Sequence, residues 1–227
     1  MCIAQGSKHQ GEIEGGGMQC SCIALAFCCM MFSNSLSQLI ATRKPSEFLE
    51  NTQQIMDMIL EIGSKLYVWH INKEFCGQER YLLVDELPEF VTIQNIDYTI
   101  DRMEAFSGLT STKESDYLSG TLNVKDALSQ AFENTPYCLM TIGYSNQSAE
   151  PGYTSALVKT ESGKYLYFDS HSRSTDGLCA AENGTAVLIQ FGTVDEFSCY
   201  IGELTMSVFS QVDLTSYEIV PIKINRE

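Results

Sequence analysis

Basic side chains are scarce in this sequence. Its 227 residues hold 14 Lys and Arg against 29 Asp and Glu, a formal charge of −15. Such a surface repels phosphate backbones, which excludes nucleic acid as an expected partner and favours a basic polypeptide. Long apolar runs are missing too: the longest, Cys22 to Phe32, has about half the ~20 residues of a bilayer-spanning helix, so no membrane span is expected. The first nineteen residues carry no basic-then-apolar leader, and the nine cysteines form an odd set without regular spacing. Free thiols in a reducing intracellular compartment follow. Histidine is limited to His9, His70 and His171, so chemistry that needs an imidazole base has few candidates.

The length suits one hydrophobic core, and a single domain over 1–227 is expected. Residues 1–19 are Gly-rich and polar and read as an irregular, mobile lead-in. Ser21 to about Asn34 is apolar nearly all round, the pattern of a buried central helix. Pro45 to about Trp69 has Phe48, Ile55, Ile59, Ile62, Leu66 and Trp69 at spacings of three, four and seven, a helix with one stripe on the core. His70 then follows that helix as a cap or surface residue. Short β-type runs come next, Tyr81–Val84 and Phe90–Ile93, and Ser107 to Thr121 is the most loop-like stretch. Asn123 to Phe132 reads as a short helix. Strands are expected at Tyr137–Tyr144, Tyr153–Thr160, Lys164–Asp169, Thr185–Phe191 and Ser216–Ile224, with a further helix over Val194–Met206. Helices first and mostly antiparallel strands after make an α+β protein.

Two stretches carry chemistry. Gly15-Gly16-Gly17-Met18-Gln19-Cys20 runs straight into the buried helix. The first N–H groups of a helix lack internal partners and face its positive end, so a thiol there is biased toward thiolate and has donors ready for an oxyanion. Cys22 competes with Cys20, and both also fit a buried helix as small apolar residues. The second stretch is Phe168-Asp169-Ser170-His171-Ser172-Arg173 at a strand end. Residues i and i+2 share a face, so Asp169 can orient the His171 imidazole; a hydrogen-bonded turn uses the same pattern. A cysteine early on a helix with a sheet histidine about 150 residues later is the layout of papain-like hydrolases. A metal site on Cys20, Cys22, Cys28, Cys29 and His9 fits poorly, because structural zinc favours Cys pairs two to four residues apart. No metal or cofactor is expected.

Gly6-Ser7-Lys8-His9-Gln10-Gly11, Gly17-Met18-Gln19-Cys20-Ser21-Cys22 and Tyr167-Phe168-Asp169-Ser170-His171-Ser172-Arg173 together resemble the ubiquitin-specific cysteine protease domain at the N-terminus of herpesvirus large tegument proteins. The likeness runs from about residue 5 to 205. It implies a papain-like fold, a helical lobe with a buried nucleophile helix packed on a mostly antiparallel sheet. It also implies Cys20 as nucleophile, His171 as general base, Asp169 as its orienting acid and Gln10 as the oxyanion-hole glutamine, with Gln5 and Gln19 as the alternative glutamines. The spacer after Gln10 is shorter than the family's. The implied reaction is hydrolysis at the C-terminal glycine of ubiquitin or NEDD8 in their conjugates. The implied setting is the virion tegument, host cytoplasm and host nucleus, with other tegument or capsid proteins as partners of a larger viral chain. Rival readings are another papain-like hydrolase or acyltransferase and a non-catalytic ubiquitin-binding or assembly module.

Overall fold

A computed structural model describes residues 1–14, 17–33, 45–110, 122–144, 152–208 and 215–227. Helix α1 (Cys20–Phe32) is buried at every position but its last, as an all-round apolar segment must be. It lies on a sheet whose centre is β5 (Tyr137–Tyr144), β6 (Tyr153–Lys159), β7 (Tyr165–Arg173) and β8 (Thr185–Phe191). Phe27 of α1 stacks on Phe168 of β7 with ring centroids 4.7 Å apart and planes 9° from parallel. Helix α2 (Pro45–Glu74) covers α1 from outside.

Helices α3 (Val124–Asn134) and α4 (Val194–Val208) cover the opposite face. Leu166 and Phe168 join the core under α1, while Tyr167 joins the core under α3 and α4. A strand covered on both faces reads as a continuous apolar run rather than an alternating one, as β7 and β8 do. Strand β1 (Cys2–Gln5) borders β8, and β2 (Phe90–Ile93) and β3 (Ile96–Arg102) form the far edge, in the order β1-β8-β7-β6-β5-β9-β3-β2. Strand β9 (Thr215–Arg226) joins the two parts, pairing with β5 through Thr215–Pro221 and with β3 through Ile222–Arg226. All these pairings are antiparallel.

Four readings need correction. The lead-in 1–19 is not wholly irregular: Cys2–Gln5 pairs with β8 from Cys2↔Gln190 to Gln5↔Val187, a strand of four residues stabilised by a distant partner and too short for a local pattern. The loop expected from Ser107 overlaps β4 (Phe106–Leu109), which pairs with β9. Gly108 there mimics a turn signal, yet its role is close approach, since a Cβ would sit 2.4 Å from the Leu122 carbonyl oxygen. Residues 111–121 of that loop lie outside the described residues. Tyr81–Val84 is no strand but an extended strap over the α1 start, anchored where Tyr67 Oη donates to the Arg80 carbonyl at 2.9 Å. Finally, α2 continues to Glu74, so His70 sits inside it, buried, with Nε2 2.7 Å from the Glu86 carbonyl oxygen.

The α1–α2 contact is tightest at Gly63, where an added Cβ would meet the Ile23 Cα at 2.4 Å. Backbone cannot yield as a side chain tip does. Gly63→Ala is therefore expected to destabilise the protein by about 1–3 kcal/mol, read as a lower urea midpoint with an unchanged slope.

Candidate active site

Gly15 and Gly16 lie outside the described residues. Gly17 has φ +84°, the left-handed region in which a side chain is strained, and Cys20 is the first residue of α1. The first bond of the helix ladder runs from the Ile23 N–H to the Gln19 carbonyl at 3.0 Å, so the preceding N–H groups of the first turn point out of the helix end. Ser21, buried beside the thiol, donates from Oγ to the Leu82 carbonyl of the strap at 2.7 Å. Its Oγ also lies 3.0 Å from Thr154 Oγ1 at the start of β6. Ser21 thus ties the strap to β6 across the floor on which Cys20 stands.

On β7 the register shifts between Asp169 and Arg173, a bulge of the kind that re-aims side chains. Asp169 is fully buried, and its Oδ1 accepts from His171 Nδ1 at 2.6 Å and from the His171 backbone N–H at 2.9 Å. The other face of the imidazole problem is packing: the Tyr153 ring meets His171 edge-on at 4.4 Å. His171 is in turn coupled to the Cys20 thiol, each favouring the charged form of the other. The structure therefore brings Cys20 of α1 together with His171 and Asp169 of β7.

Electrostatics favour the charged forms of these three groups. Burial disfavours charge on Cys20, but the hydrogen bond and charge of His171 outweigh it and hold the thiol below its ordinary range. Burial and the neighbouring Cys20 push Cys22 far up, which separates the two cysteines. For His171, burial is overcome by the charge and hydrogen bond of Asp169 and then by Cys20, raising it to about 9. For Asp169, burial is overcome by the charge of Arg173 and then by His171, so it stays ionised well below the usual carboxylate range.

Gln10 is buried in a 3-10 turn (Gln10–Glu12) that His9 and Glu12 cap. Its Nε2 donates to the Gly17 carbonyl at 2.8 Å, and its Oε1 accepts from Ser170 Oγ at 2.6 Å. A carbonyl can only accept, so the Gly17 contact fixes which amide atom is nitrogen. One Nε2 hydrogen is left over. Gln19 instead commits its nitrogen to the Gln10 and Glu14 carbonyls, at 3.0 and 3.2 Å. Gln5 reaches the Ser174 carbonyl at 3.2 Å. Of the three glutamines, only Gln10 is bonded to the residue between Asp169 and His171. His9 accepts from the Gly11 N–H, and Cys22, Cys28 and Cys29 lie in the apolar core.

Sequence reasoning gave no role to Arg173, Ser170, Ser21, Thr154 or Tyr153. Arg173 was within reach of the rule that paired Asp169 with His171, since i+4 on a strand shares their face; its Nε lies 2.7 Å from Asp169 Oδ2. A groove of about 840 Å³ lined by Trp69, Phe90 and Tyr98 lies between α2 and the β2–β3 edge, and none of Gln10, Cys20, Asp169 or His171 lines it.

Iodoacetamide at pH 7 is expected to modify Cys20 before Cys22, with His171→Ala slowing Cys20 about tenfold or more, as peptide mass spectrometry would show. Stability should follow the same charges. The contribution of His171 is complete below its ordinary 6.5 and is lost as pH rises through about 9. That of Asp169 is complete above its ordinary 3.8 and is lost as pH falls. Urea denaturation across pH should show both limbs in the wild type and flatter ones in Asp169→Asn.

No curated protein sequence matches the chain. The fold is similar to that of the ubiquitin-specific protease encoded by a murine cytomegalovirus tegument protein, solved in complex with a ubiquitin-based suicide substrate. The TM-score is 0.72 at 17% identity, covering 100% of this chain and 88% of that one. The family model described as herpesvirus tegument protein, N-terminal conserved region, matches residues 5–223, and the chain belongs to that family.

Proposed function

We propose that the protein is a deubiquitinating cysteine protease that hydrolyses the bond to the C-terminal glycine of ubiquitin, or of NEDD8, in their conjugates. The observation that carries this reading is that Asp169 orients His171 through a 2.6 Å hydrogen bond while His171 is coupled to Cys20 at the start of α1. The family and the fold of a protease solved with a ubiquitin-based suicide substrate support the choice of substrate.

In this mechanism Cys20, as the thiolate that His171 favours, attacks the glycine carbonyl, and His171 gives its proton to the departing amine. The Cys20 N–H and the remaining Nε2 hydrogen of Gln10 stabilise the oxyanion, with Ser170 and the Gly17 carbonyl holding the Gln10 amide in place. Neutral His171 then takes a proton from water, whose oxygen adds to the thioester. The C–S bond breaks, its electron pair returns to sulfur, and the ion pair is restored. Ubiquitin's tail is basic and ends in Gly-Gly, so the charge of −15 speeds encounter more than it tightens binding. Virion tegument, host cytoplasm and host nucleus are where such an activity would act.

Ubiquitin bearing a C-terminal electrophile tests this directly. The wild type and Cys22→Ala are expected to gain the mass of one ubiquitin and Cys20→Ala to gain none. Gln10→Ala should lose about 10²–10³-fold in kcat on a fluorogenic ubiquitin amide. An adduct on Cys22 would overturn the assignment, and no adduct in any form would overturn the function.

A further inference from the structure

Asp169 accepts four hydrogen bonds, and they divide evenly between its two oxygens. Oδ1 serves His171 through Nδ1 and the backbone N–H, at 2.6 and 2.9 Å. Oδ2 serves Arg173 Nε at 2.7 Å and Tyr167 Oη at 3.1 Å. Arg173 is 2% exposed, an unusual place for a guanidinium unless it is fully paired. Its Cζ also lies 5.3 Å over the Tyr153 ring, the ring whose edge-on contact confines His171. One buried arginine therefore touches both groups that hold the imidazole.

We propose that Arg173 and Tyr167 are positioning residues for the hydrolytic half of the reaction: by taking one oxygen of Asp169 they loosen that carboxylate's hold on the His171 proton, so that the imidazole can work as a base as well as an acid. The proposal rests on the deubiquitinase reading. The two half-reactions make opposite demands. Thioester formation uses a charged imidazole beside a thiolate. Thioester hydrolysis needs a neutral imidazole, to accept a proton from the attacking water as the oxygen bonds to carbon and the C–S bond yields its pair to sulfur. A water-excluded carboxylate with His171 as its sole cation would keep the imidazole charged and favour only the first. With Arg173 as a permanent second cation, Asp169 stays ionised whichever state His171 is in. Among the described residues, the ionisable groups facing this pair are Cys20 from α1, Tyr153 from β6, Tyr167 and Arg173 on β7, and Tyr200 from α4, whose hydroxyl is engaged by the Gly177 carbonyl at 3.0 Å. Arg173 is the fixed cation among them.

The test separates the half-reactions. In Arg173→Met, acylation by electrophile-bearing ubiquitin is expected to stay within about threefold of wild type while kcat falls tenfold or more. Thioester-linked ubiquitin should accumulate, visible by mass spectrometry after acid quench. Arg173→Lys should recover most of kcat. Because Arg173→Met can fail to fold, Tyr167→Phe, which removes one donor to Oδ2 and suits its apolar surroundings, should show the same split at two- to fivefold. Iodoacetamide supplies a readout that needs no ubiquitin: the half-point of Cys20 alkylation should move to lower pH in Arg173→Met and Tyr167→Phe, where the imidazole holds its proton more firmly. Equal losses in acylation and kcat with an unmoved alkylation profile would reduce Arg173 to a structural residue and overturn the proposal. A wild type that never turns over ubiquitin would sink the function instead, and the alkylation profile would still decide the charge sharing, a shift supporting it and no shift overturning it.

Discussion

One buried carboxylate organises the chemistry of this protein. Asp169 is sealed from water at the end of a central strand, where an isolated charge would be prohibitively costly. It is kept there by four donors and two cations, all within four residues of it on β7. Remove either cation and the carboxylate faces the interior with half its compensation. The fold must therefore keep β7 central, bulged at the right place and covered on both faces, and the sheet order with its two helical layers does so.

Cys20 is placed by a different force. Helix α1 carries almost no polar side chain to orient it, so apolar packing on β6 and β7 sets its position, Phe27 stacking on Phe168 among those contacts. Its first turn is the exception. Ser21 joins the strap at Leu82 and β6 at Thr154, which stops α1 from sliding or rotating at the end that bears Cys20. Apolar burial supplies the energy and a few hydroxyls supply the precision, a division expected because dispersion and burial are nearly non-directional while hydrogen bonds are not.

Legibility in the sequence followed from the range of each interaction. The buried helix, the Asp169–His171 pairing and the Gln-Cys start of α1 were readable, since each depends on neighbours within a few residues. The sheet partners of Cys2–Gln5 and Phe106–Leu109 were not, because short strands take their stability from segments more than a hundred residues away. Gly108 misled for a physical reason: a glycine needed for close approach looks the same in sequence as one needed for a turn. The contact that sets Gln10 apart from Gln5 and Gln19 is with Ser170, 160 residues away, which no spacing rule could supply. Arg173 alone was readable and unread, lying on the face already assigned to its two neighbours.

The state of the His171 ring tests the account most directly. Nitrogen-edited NMR on the wild type, beside Cys20→Ala, would follow both ring nitrogens through a pH titration. We expect a doubly protonated imidazole at pH 7.5 that titrates near 9 in the wild type and lower in Cys20→Ala, where the thiolate that helps hold the proton is gone. A ring that is neutral at pH 7.5, titrating near its ordinary 6.5 in both proteins, would contradict the buried ion pair on which the mechanism stands.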